Sequence, residues 1–166
     1  LRIGMDGYVE AMANYKEDIL EGPQRIYYKG ARIDKESNYL DGLEEGLRKV
    51  YYSDAGLQET AAFLHGKREG LTTWFYKNGK KAAEYEYQHD LRNGKALTYN
   101  EAGTLVVSGQ FSDDIETGVW KEFEEDGHLS AEGPYEIGAK NGTWKFYDKE
   151  GKVIRKVQFY KGEESK

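Results

Sequence analysis

An aromatic residue recurs at every twelfth position along most of the chain, and this period restricts the fold more than any other feature. The thirteen members of this aromatic ladder are Tyr15, Tyr27, Tyr39, Tyr51, Phe63, Phe75, Tyr87, Tyr99, Phe111, Phe123, Tyr135, Tyr147 and Phe159. A glycine recurs every twenty-four residues, at Gly22, Gly46, Gly70, Gly94, Gly118 and Gly142. A fixed period of this length is the signature of a tandem repeat protein.

We therefore predict one repeat domain, residues 1–166, in which each twenty-four-residue repeat has two similar halves. The domain divides into a partial unit at 1–17, six repeats at 18–41, 42–65, 66–89, 90–113, 114–137 and 138–161, and a tail at 162–166. In such an array each repeat packs mainly on its neighbours, so stability accumulates along the chain.

The third repeat shows how one unit is built. Residues 71–76 are rich in β-branched and aromatic side chains, which favour a strand. Residues 77–79, Lys-Asn-Gly, follow, and Asn-Gly between two such runs indicates a hairpin turn. Residues 80–87 form the predicted return strand, and residues 89–93 turn the chain into Gly94. The sequence thus predicts an all-β fold, an elongated single-layer antiparallel meander of tandem 24-residue β-hairpin repeats.

Glycine marks the turns of the predicted hairpins. In the first repeat the first turn is shortened to Lys29-Gly30, and two extra residues restore the register before Tyr39. Because no strand-then-helix context accompanies these glycines, they do not predict a phosphate-binding loop. In four other repeats the first turn closes on Gly56, Gly103, Gly127 and Gly151.

The charge of the chain narrows the class of partner. A net charge of −6 disfavours a sequence-independent grip on nucleic acid or anionic lipid, because both need a basic field. We therefore expect another protein as partner and no nucleic acid, with a membrane as the less favoured alternative. One repeat position carries a basic row, interpreted as a solvated strand face: Arg25, Lys49, Lys121 and Lys145.

Cysteine and apolar runs bear on disulfides, metals and membranes. The chain has no cysteine, so it has neither a disulfide nor a thiolate metal site. No apolar run reaches the ~20 residues of a membrane span. The chain begins at Leu1. Both a cytoplasmic location and, after removal of a signal peptide, a periplasmic or envelope location therefore stay open.

No group of residues predicts catalysis or a metal site. His65 and His89 occupy the same repeat position, but equivalent residues in adjacent repeats lie ~9.5 Å apart, which is too far for joint ligation of zinc. His128 follows a different turn. Carboxylate pairs such as Glu84 with Glu86 stay solvated on a half-open sheet face, so neither member is prepared as a general acid. We therefore expect no enzyme activity, no metal and no cofactor.

The predicted partner site lies beside the aromatic ladder in sequence. Because side chains alternate between the faces of a strand, we expect the ladder to form two rows on one face and its sequence neighbours to lie on the other. In the first three repeats these neighbours are Ile26, Tyr28, Val50, Tyr52, Trp74 and Tyr76. The predicted partner-binding residues are the anchors Tyr28, Tyr52, Trp74 and Tyr76 and the acidic rim Glu84 and Glu86. Internal packing of the same side chains is the alternative interpretation.

Two later repeats resemble a known type of repeat. Residues 118–123, Gly-Val-Trp-Lys-Glu-Phe, and residues 142–147, Gly-Thr-Trp-Lys-Phe-Tyr, each precede a turn closed by glycine. This pattern resembles the MORN-repeat variant found in bacteria, and the resemblance covers residues 18–166. The first four repeats depart from it at the tryptophan position, where they have Gln24, Arg48, Thr72 and Ala96.

The resemblance implies binding rather than catalysis. Proteins with this variant are often described as antitoxins or immunity-like partners of bacterial toxins, and MORN repeats elsewhere are elongated platforms that bind proteins or lipids. The expected function is a non-catalytic protein-binding scaffold. The resemblance sharpens this to an antitoxin or immunity protein that neutralises a bacterial toxin by direct binding. A membrane- or envelope-associated platform for lipids or proteins is the alternative.

Elongation is the first testable consequence of the repeat pattern. A single-layer ribbon of this length should have a radius of gyration clearly above the ~15 Å that compact-domain scaling gives. Small-angle scattering measures this quantity directly. A compact value would mean that the array folds back or closes on itself.

Overall fold

The chain folds into antiparallel β-strands arranged in two compact units. The computed structural model describes residues 1–5 and 7–165, and within that part it has strands and turns but no helix. Consequently, no helix in the described part has the length and apolarity needed to cross a membrane. One unit ends at Lys80 and the other begins at Lys81.

The first unit is an antiparallel meander. Strands that follow one another along the chain pair, except that β5 and β6 both pair with β4. Its strands are β1 (Arg2–Ile3), β2 (Val9–Lys16), β3 (Ile19–Tyr27), β4 (Ile33–Leu40), β5 (Leu43–Glu44), β6 (Gly46–Tyr51), β7 (Leu57–Leu64) and β8 (Lys67–Phe75).

The second unit repeats this arrangement. Its strands again pair in chain order, and β13 pairs with both β14 and β15. They are β9 (Lys81–Gln88), β10 (Leu91–Tyr99), β11 (Leu105–Ser112), β12 (Ile115–Phe123), β13 (Leu129–Glu136), β14 (Ala139–Lys140), β15 (Gly142–Tyr147), β16 (Val153–Tyr160) and β17 (Glu163–Glu164).

The strands follow the predicted twenty-four-residue period. The eight-residue return strands begin at Val9, Ile33, Leu57, Lys81, Leu105, Leu129 and Val153. The outgoing strands end at the other half of the aromatic ladder, at Tyr27, Tyr51, Phe75, Tyr99, Phe123 and Tyr147. The predicted all-β antiparallel meander of tandem hairpin repeats is therefore confirmed.

A tight two-residue turn follows each return strand. Both of its residues have positive φ, as a type I′ hairpin requires. In five of these turns the backbone N–H of the second residue also donates to a carbonyl of the preceding repeat, as Gly42 does to Leu20 (2.9 Å) and Gly66 to Glu44 (2.8 Å). The residue pairs are Glu17-Asp18, Asp41-Gly42, His65-Gly66, His89-Asp90, Asp113-Asp114, Ile137-Gly138 and Lys161-Gly162.

A five-residue connection joins each outgoing strand to the return strand, and here the predicted turns need correction. The first repeat is not shortened, because its connection spans 28–32 just as the next one spans 52–56. In the second repeat the left-handed residue is Ala55 and not Gly56. One repeat position therefore has positive φ throughout, and it is occupied by Ala31, Ala55, Gly79, Gly103, Gly127 and Gly151.

The expectation that the whole aromatic ladder lies on one face is wrong. Across the β3–β4 pair, Tyr27 faces Ile33 but Ile26 faces Lys35, so the return strand has one extra residue at Asp34. Since side chains alternate along a strand, this one-residue bulge moves the next ladder member to the opposite face. The same register shift occurs at Tyr51, Tyr99, Phe123 and Tyr147.

Each unit therefore has two distinct faces. The core face has the return-strand ladder members, and the tyrosine face has the outgoing-strand members. Strand register places every buried apolar side chain of the described residues on the core face: Ala61, Phe63, Ala96, Phe111, Ala131, Trp144 and Val157.

The left-handed alanine in the second repeat gives a test of the turn register. Ala55→Gly should raise the free energy of unfolding by about 0.5–1 kcal/mol. Removing the Cβ relieves a left-handed strain of roughly 1–2 kcal/mol, and the larger backbone entropy that glycine loses on folding offsets part of this gain. Gly79→Ala, whose added Cβ would meet nothing within 4 Å, should lower it by a similar amount. Urea unfolding of both variants measures the changes. Changes of the same sign would contradict the register.

Candidate functional site

A chain of aromatic rings fills the core face of the second unit. Neighbouring rings meet edge-on or tilted, with centroids 5.3–6.3 Å apart, in the order Tyr85, Phe111, Trp120, Tyr135, Trp144 and Phe159. Trp120 covers Gly109 and Trp144 covers Gly133 so closely that an added Cβ would lie 2.2 and 2.3 Å from the indole rings. These two glycines are therefore sites of close packing and not of chain reversal.

The fourth repeat keeps this packing although its large and small side chains lie on opposite strands from those of the later repeats. Its tryptophan position holds Ala96, which lies opposite Tyr85 on β9. The large side chain has thus moved to the neighbouring strand, and Tyr85 contacts Phe111 with centroids 5.9 Å apart. The departure of Ala96 from the tryptophan pattern is compensated within the unit.

The first unit replaces the aromatic chain with a charged network. Arg48 stands at the tryptophan position, and its guanidinium lies 4.3 Å from the centre of the Phe63 ring. Arg48 Nη2 donates to Glu59 Oε1 at 2.7 Å, and Arg68 Nη2 lies 3.2 Å from Glu59 Oε2. Glu44 completes the group at 3.4 Å from Arg48. We refer to Glu44, Arg48, Glu59 and Arg68 as the Arg48 network.

Burial makes this network costly for the protein. Burial alone raises the pKa of Glu59, but Arg48 and Arg68 outweigh that effect and leave its pKa below the ordinary value. Among the described residues, four buried side-chain atoms on or beside this face have no hydrogen-bond partner: Ser37 Oγ, Glu44 Oε1, Arg48 Nε and Thr72 Oγ1. A buried polar atom without a partner costs roughly 1–3 kcal/mol. The core face of the first unit is therefore poorly satisfied by its own chain.

Trp74 is the predicted anchor that lies closest to this network. It faces Glu59 across the β7–β8 pair, which places it on the core face. The Arg68 guanidinium lies 5.8 Å from the centre of the Trp74 ring. The structure thus brings Trp74 together with charged residues that the aromatic pattern did not indicate.

The predicted tyrosine anchors lie in the five-residue connections. The Tyr28 hydroxyl donates to the carbonyl of Tyr51 at 2.9 Å, and the Tyr52 hydroxyl donates to the carbonyl of Phe75 at 2.7 Å. Both hydroxyls therefore link one connection to the next repeat. Tyr76 is also partly buried, and its backbone N–H donates to Lys80.

The predicted acidic rim lies on the tyrosine face of the second unit. Glu84 accepts hydrogen bonds from the Tyr99 hydroxyl at 2.8 Å and from Lys81 Nζ at 2.6 Å. Glu86 is exposed and accepts from the backbone N–H of Lys95 at 2.7 Å. Their neighbours are therefore the residues of that face, and Trp74 belongs to the core face of the other unit.

A tyrosine hydroxyl and a carboxylate fifteen residues earlier form a recurring pair on the tyrosine face. Tyr147 donates to Glu132 at 2.7 Å, and Tyr51 donates to Glu36 at 2.8 Å. Burial, followed by the carboxylate, raises the pKa of Tyr51 and that of Tyr99 to about 12. Among the outgoing-strand ladder members, Phe75 and Phe123 have Thr60 and Ser108 at the position fifteen residues earlier. The Tyr27 hydroxyl instead donates to Met12 Sδ at 3.2 Å. The glutamate therefore accompanies three of the four outgoing-strand tyrosines and neither phenylalanine.

The basic row on the tyrosine face is offset by these same carboxylates. Arg25 Nε lies 2.9 Å from Glu36, and Lys121 and Lys145 lie 3.8 and 3.6 Å from Glu132. The row is consequently not a continuous basic surface of the kind that binds phosphate groups.

The histidines lie in turns or strand starts. His65 and His89 occupy tight turns, and His128 contacts Asp126 in a five-residue connection. Within the part of the chain that the structure describes, no three His, Cys, Asp or Glu side chains form a metal-binding group.

The sequence reasoning missed the Arg48 network. The available signal was a charged residue at the repeat position where the later repeats have tryptophan, combined with Glu59 eleven residues on, where a later repeat has Ala131. That signal identifies an exception to the pattern. It does not show that the side chains meet, because contact depends on how neighbouring strands align.

Comparison with known families identifies the type of repeat. Residues 68–89, 116–136 and 140–161 match the family described as MORN repeat variant. These stretches fall in the third, fifth and sixth repeats, and the last two include Trp120 and Trp144. MORN repeats are generally non-catalytic binding repeats. A comparison with curated proteins found no match.

The tyrosine–carboxylate pair gives a pH-dependent test. The Tyr147 hydroxyl, more than any other group, lowers the pKa of Glu132 below its ordinary 4.5. The pair should therefore stabilise the fold fully above pH 4.5 and lose its contribution as the pH falls through the lowered value. Tyr147→Phe should cost about 1 kcal/mol at neutral pH, allowing for partial exposure, and less in acid.

Phe123→Tyr is the matched control, because its partner is Ser108 and not a carboxylate. This variant should show no added pH dependence. Urea unfolding of the wild type and both variants between pH 3 and pH 7 would measure these effects. A Tyr147→Phe deficit that stays constant into acid would show that the carboxylate is not its source.

Proposed function

We propose that this protein is a non-catalytic protein-binding scaffold whose main binding surface is the core face of the first unit. The observation that carries the proposal is the cluster of Arg48, Arg68 and Trp74 on the face where the second unit has packed aromatic rings. Guanidinium groups beside a tryptophan offer a partner both hydrogen-bond donors and apolar area. The corresponding face of the second unit is filled by aromatic rings and has no such cluster.

The residue types on this surface support a protein as the ligand. Tryptophan and arginine are the residues most enriched at interface hot spots, and Trp74, Arg48 and Arg68 lie together here. Phe63 and Glu59 hold both guanidinium groups in place before any partner binds. A preorganised surface loses less side-chain entropy on binding.

The predicted partner-binding residues have different roles in the proposed complex. Trp74 is the central contact, and its truncation removes area next to Arg68. Tyr28, Tyr52 and Tyr76 lie in the connections of the same unit and contribute additional contacts there. Glu84 and Glu86, on the tyrosine face of the second unit, contribute to the overall acidic charge that speeds encounter with a basic partner.

The finer proposal is an antitoxin or immunity protein that covers a bacterial toxin. Its support is the resemblance to the MORN-repeat variant together with the acidic net charge of −6, which would speed encounter with a basic, nucleic-acid-acting toxin. The offset basic row on the tyrosine face is one reason to prefer a protein to an anionic membrane as the ligand.

Transplanting the packing of a later repeat tests this placement. The triple variant Ser37→Gly, Arg48→Trp and Glu59→Ala copies Gly109 of the fourth repeat and Trp120 and Ala131 of the fifth into the equivalent positions of the first and second repeats. It should melt at or above the temperature of the wild type, because a buried ion pair replaced by packed apolar groups is often neutral or stabilising. It should also bind its partner at least tenfold more weakly, which is about 1.4 kcal/mol or more.

The assay is a titration against the purified products of the genes adjacent to its own, with a thermal melt of each variant. Trp74→Ala should weaken the same complex by about 2 kcal/mol. Arg25→Gln is the control, because it removes one positive charge from the tyrosine face of the same unit. Unchanged affinity in both the triple variant and Trp74→Ala would exclude this surface.

A further inference from the structure

Six aliphatic side chains form an exposed patch on the tyrosine face of the first unit. Each is 46–55% exposed, although all are leucine or isoleucine: Ile19, Leu40, Leu43, Leu47, Leu64 and Leu71. We call them the leucine patch. They lie near the tight turns, on the face opposite the Arg48 network, so they are independent of the proposed function.

Strand register shows that the leucine patch is continuous. Leu40 faces Leu43, and Leu47 faces Ala62 on β7. Thr72 on β8 faces Ala61 on β7, so the preceding residue Leu71 lies beside Ala62. Leu47 and Leu71 therefore flank Ala62 from the two neighbouring strands. At the turns, the Cβ position of Gly66 lies 3.4 Å from Leu43, and that of Gly42 lies 3.4 Å from Ile19.

The second unit has this apolar surface only in part. At the repeat positions of Leu40 and Leu64 it has Gln88, Ser112, Glu136 and Tyr160, and at those of Leu47 and Leu71 it has Lys95, Val119 and Thr143. Leu91 and Ile115 keep the apolar character of Ile19 and Leu43. At the first two positions the fold therefore accepts polar residues, so leucine there is not needed to form the repeat. Contiguous exposed apolar surface of this kind marks an interaction site.

The strands beneath the patch exclude recognition by strand addition. β4, β6 and β7 are each paired on both sides within the sheet. Their backbone groups are already used, so a partner must contact the side chains face-on. A second β-sheet packed face to face is the usual solution for a flat apolar sheet surface, at a separation of ~10 Å.

Charges of opposite sign flank the patch on its two sides. On the turn side the carboxylates outnumber the two lysines Lys16 and Lys67. These carboxylates are Glu17, Asp18, Glu21, Asp41 and Glu45. On the inner side lie Arg25 and Lys49, set against the single carboxylate Glu36. A surface that is acidic on one side of an apolar stripe and basic on the other is complementary to itself.

We propose that the leucine patch is covered by the same patch of a second copy of this chain. A two-fold axis along the stripe, perpendicular to the strands, places leucine on leucine. The same rotation exchanges the two sides, so the acidic turns of each copy lie over the basic side of the other. The contact is then isologous, as expected of a closed dimer, and leaves both Arg48 networks facing outward.

Mass measurement over a concentration series tests the dimer. Sedimentation equilibrium of the wild type should show a reversible change from monomer to dimer. Leu47→Ser combined with Leu71→Ser should raise the dimer dissociation constant by about tenfold or more, as removal of central apolar contacts does. Val119→Ser is the matched control, since Val119 is equally exposed at the same repeat position in the second unit, and it should leave the constant unchanged.

Charge exchange tests the orientation of the two copies. Asp41→Lys and Lys49→Glu should each weaken the dimer, and the two changes together should restore much of the affinity because opposite sides meet. Thermal melts at low concentration check that every variant folds.

Several results would overturn the proposal. They are a wild type that stays monomeric at all concentrations, a dimer that the leucine variants leave unchanged, and charge changes that fail to compensate. Wild-type binding to neutral phosphatidylcholine vesicles that the leucine variants abolish, without any dimer, would instead assign the patch to a membrane.

Discussion

The one-residue bulge after each five-residue connection is the constraint on which both faces of these sheets depend. Without it, every twelfth residue would return to the same face of the sheet. With it, the return-strand aromatics build the core face and the outgoing-strand aromatics build the tyrosine face. No helix covers either face in the described residues, so side chains of neighbouring strands must cover each other.

In these sheets, each large or polar side chain finds its packing or hydrogen-bond partner on the adjacent strand rather than in a deep core. A tryptophan is accommodated by a glycine beneath it, as Trp144 is by Gly133. A tyrosine hydroxyl is met by a carboxylate, as Tyr147 is by Glu132. Paired changes of this kind let single repeats vary without loss of the fold, because only local volume and hydrogen bonding must be conserved.

The first unit uses this tolerance differently from the second. On its core face a charged network replaces the aromatic rings, and several of its polar atoms lack partners. On its tyrosine face leucine stands at positions where the second unit has several polar residues, such as Gln88 and Lys95. Both departures bring residue types that are typical of interaction surfaces: arginine beside tryptophan on one face, and exposed leucine on the other.

The sequence by itself determined the repeat length, the all-β class and most of the turns, because period and turn chemistry act over a few neighbouring residues. It also identified Trp74 as exceptional. Only the tertiary structure decided which face each aromatic residue occupies, since one bulged residue moves the next aromatic side chain to the opposite face. It also showed the left-handed backbone at Ala55, because alanine is not a residue that predicts such a turn. Only the tertiary structure showed that Arg48 contacts Glu59 and that Trp74 lies beside Arg68. Contacts between strands depend on the register of their pairing, and the periodic pattern of the sequence is compatible with more than one register.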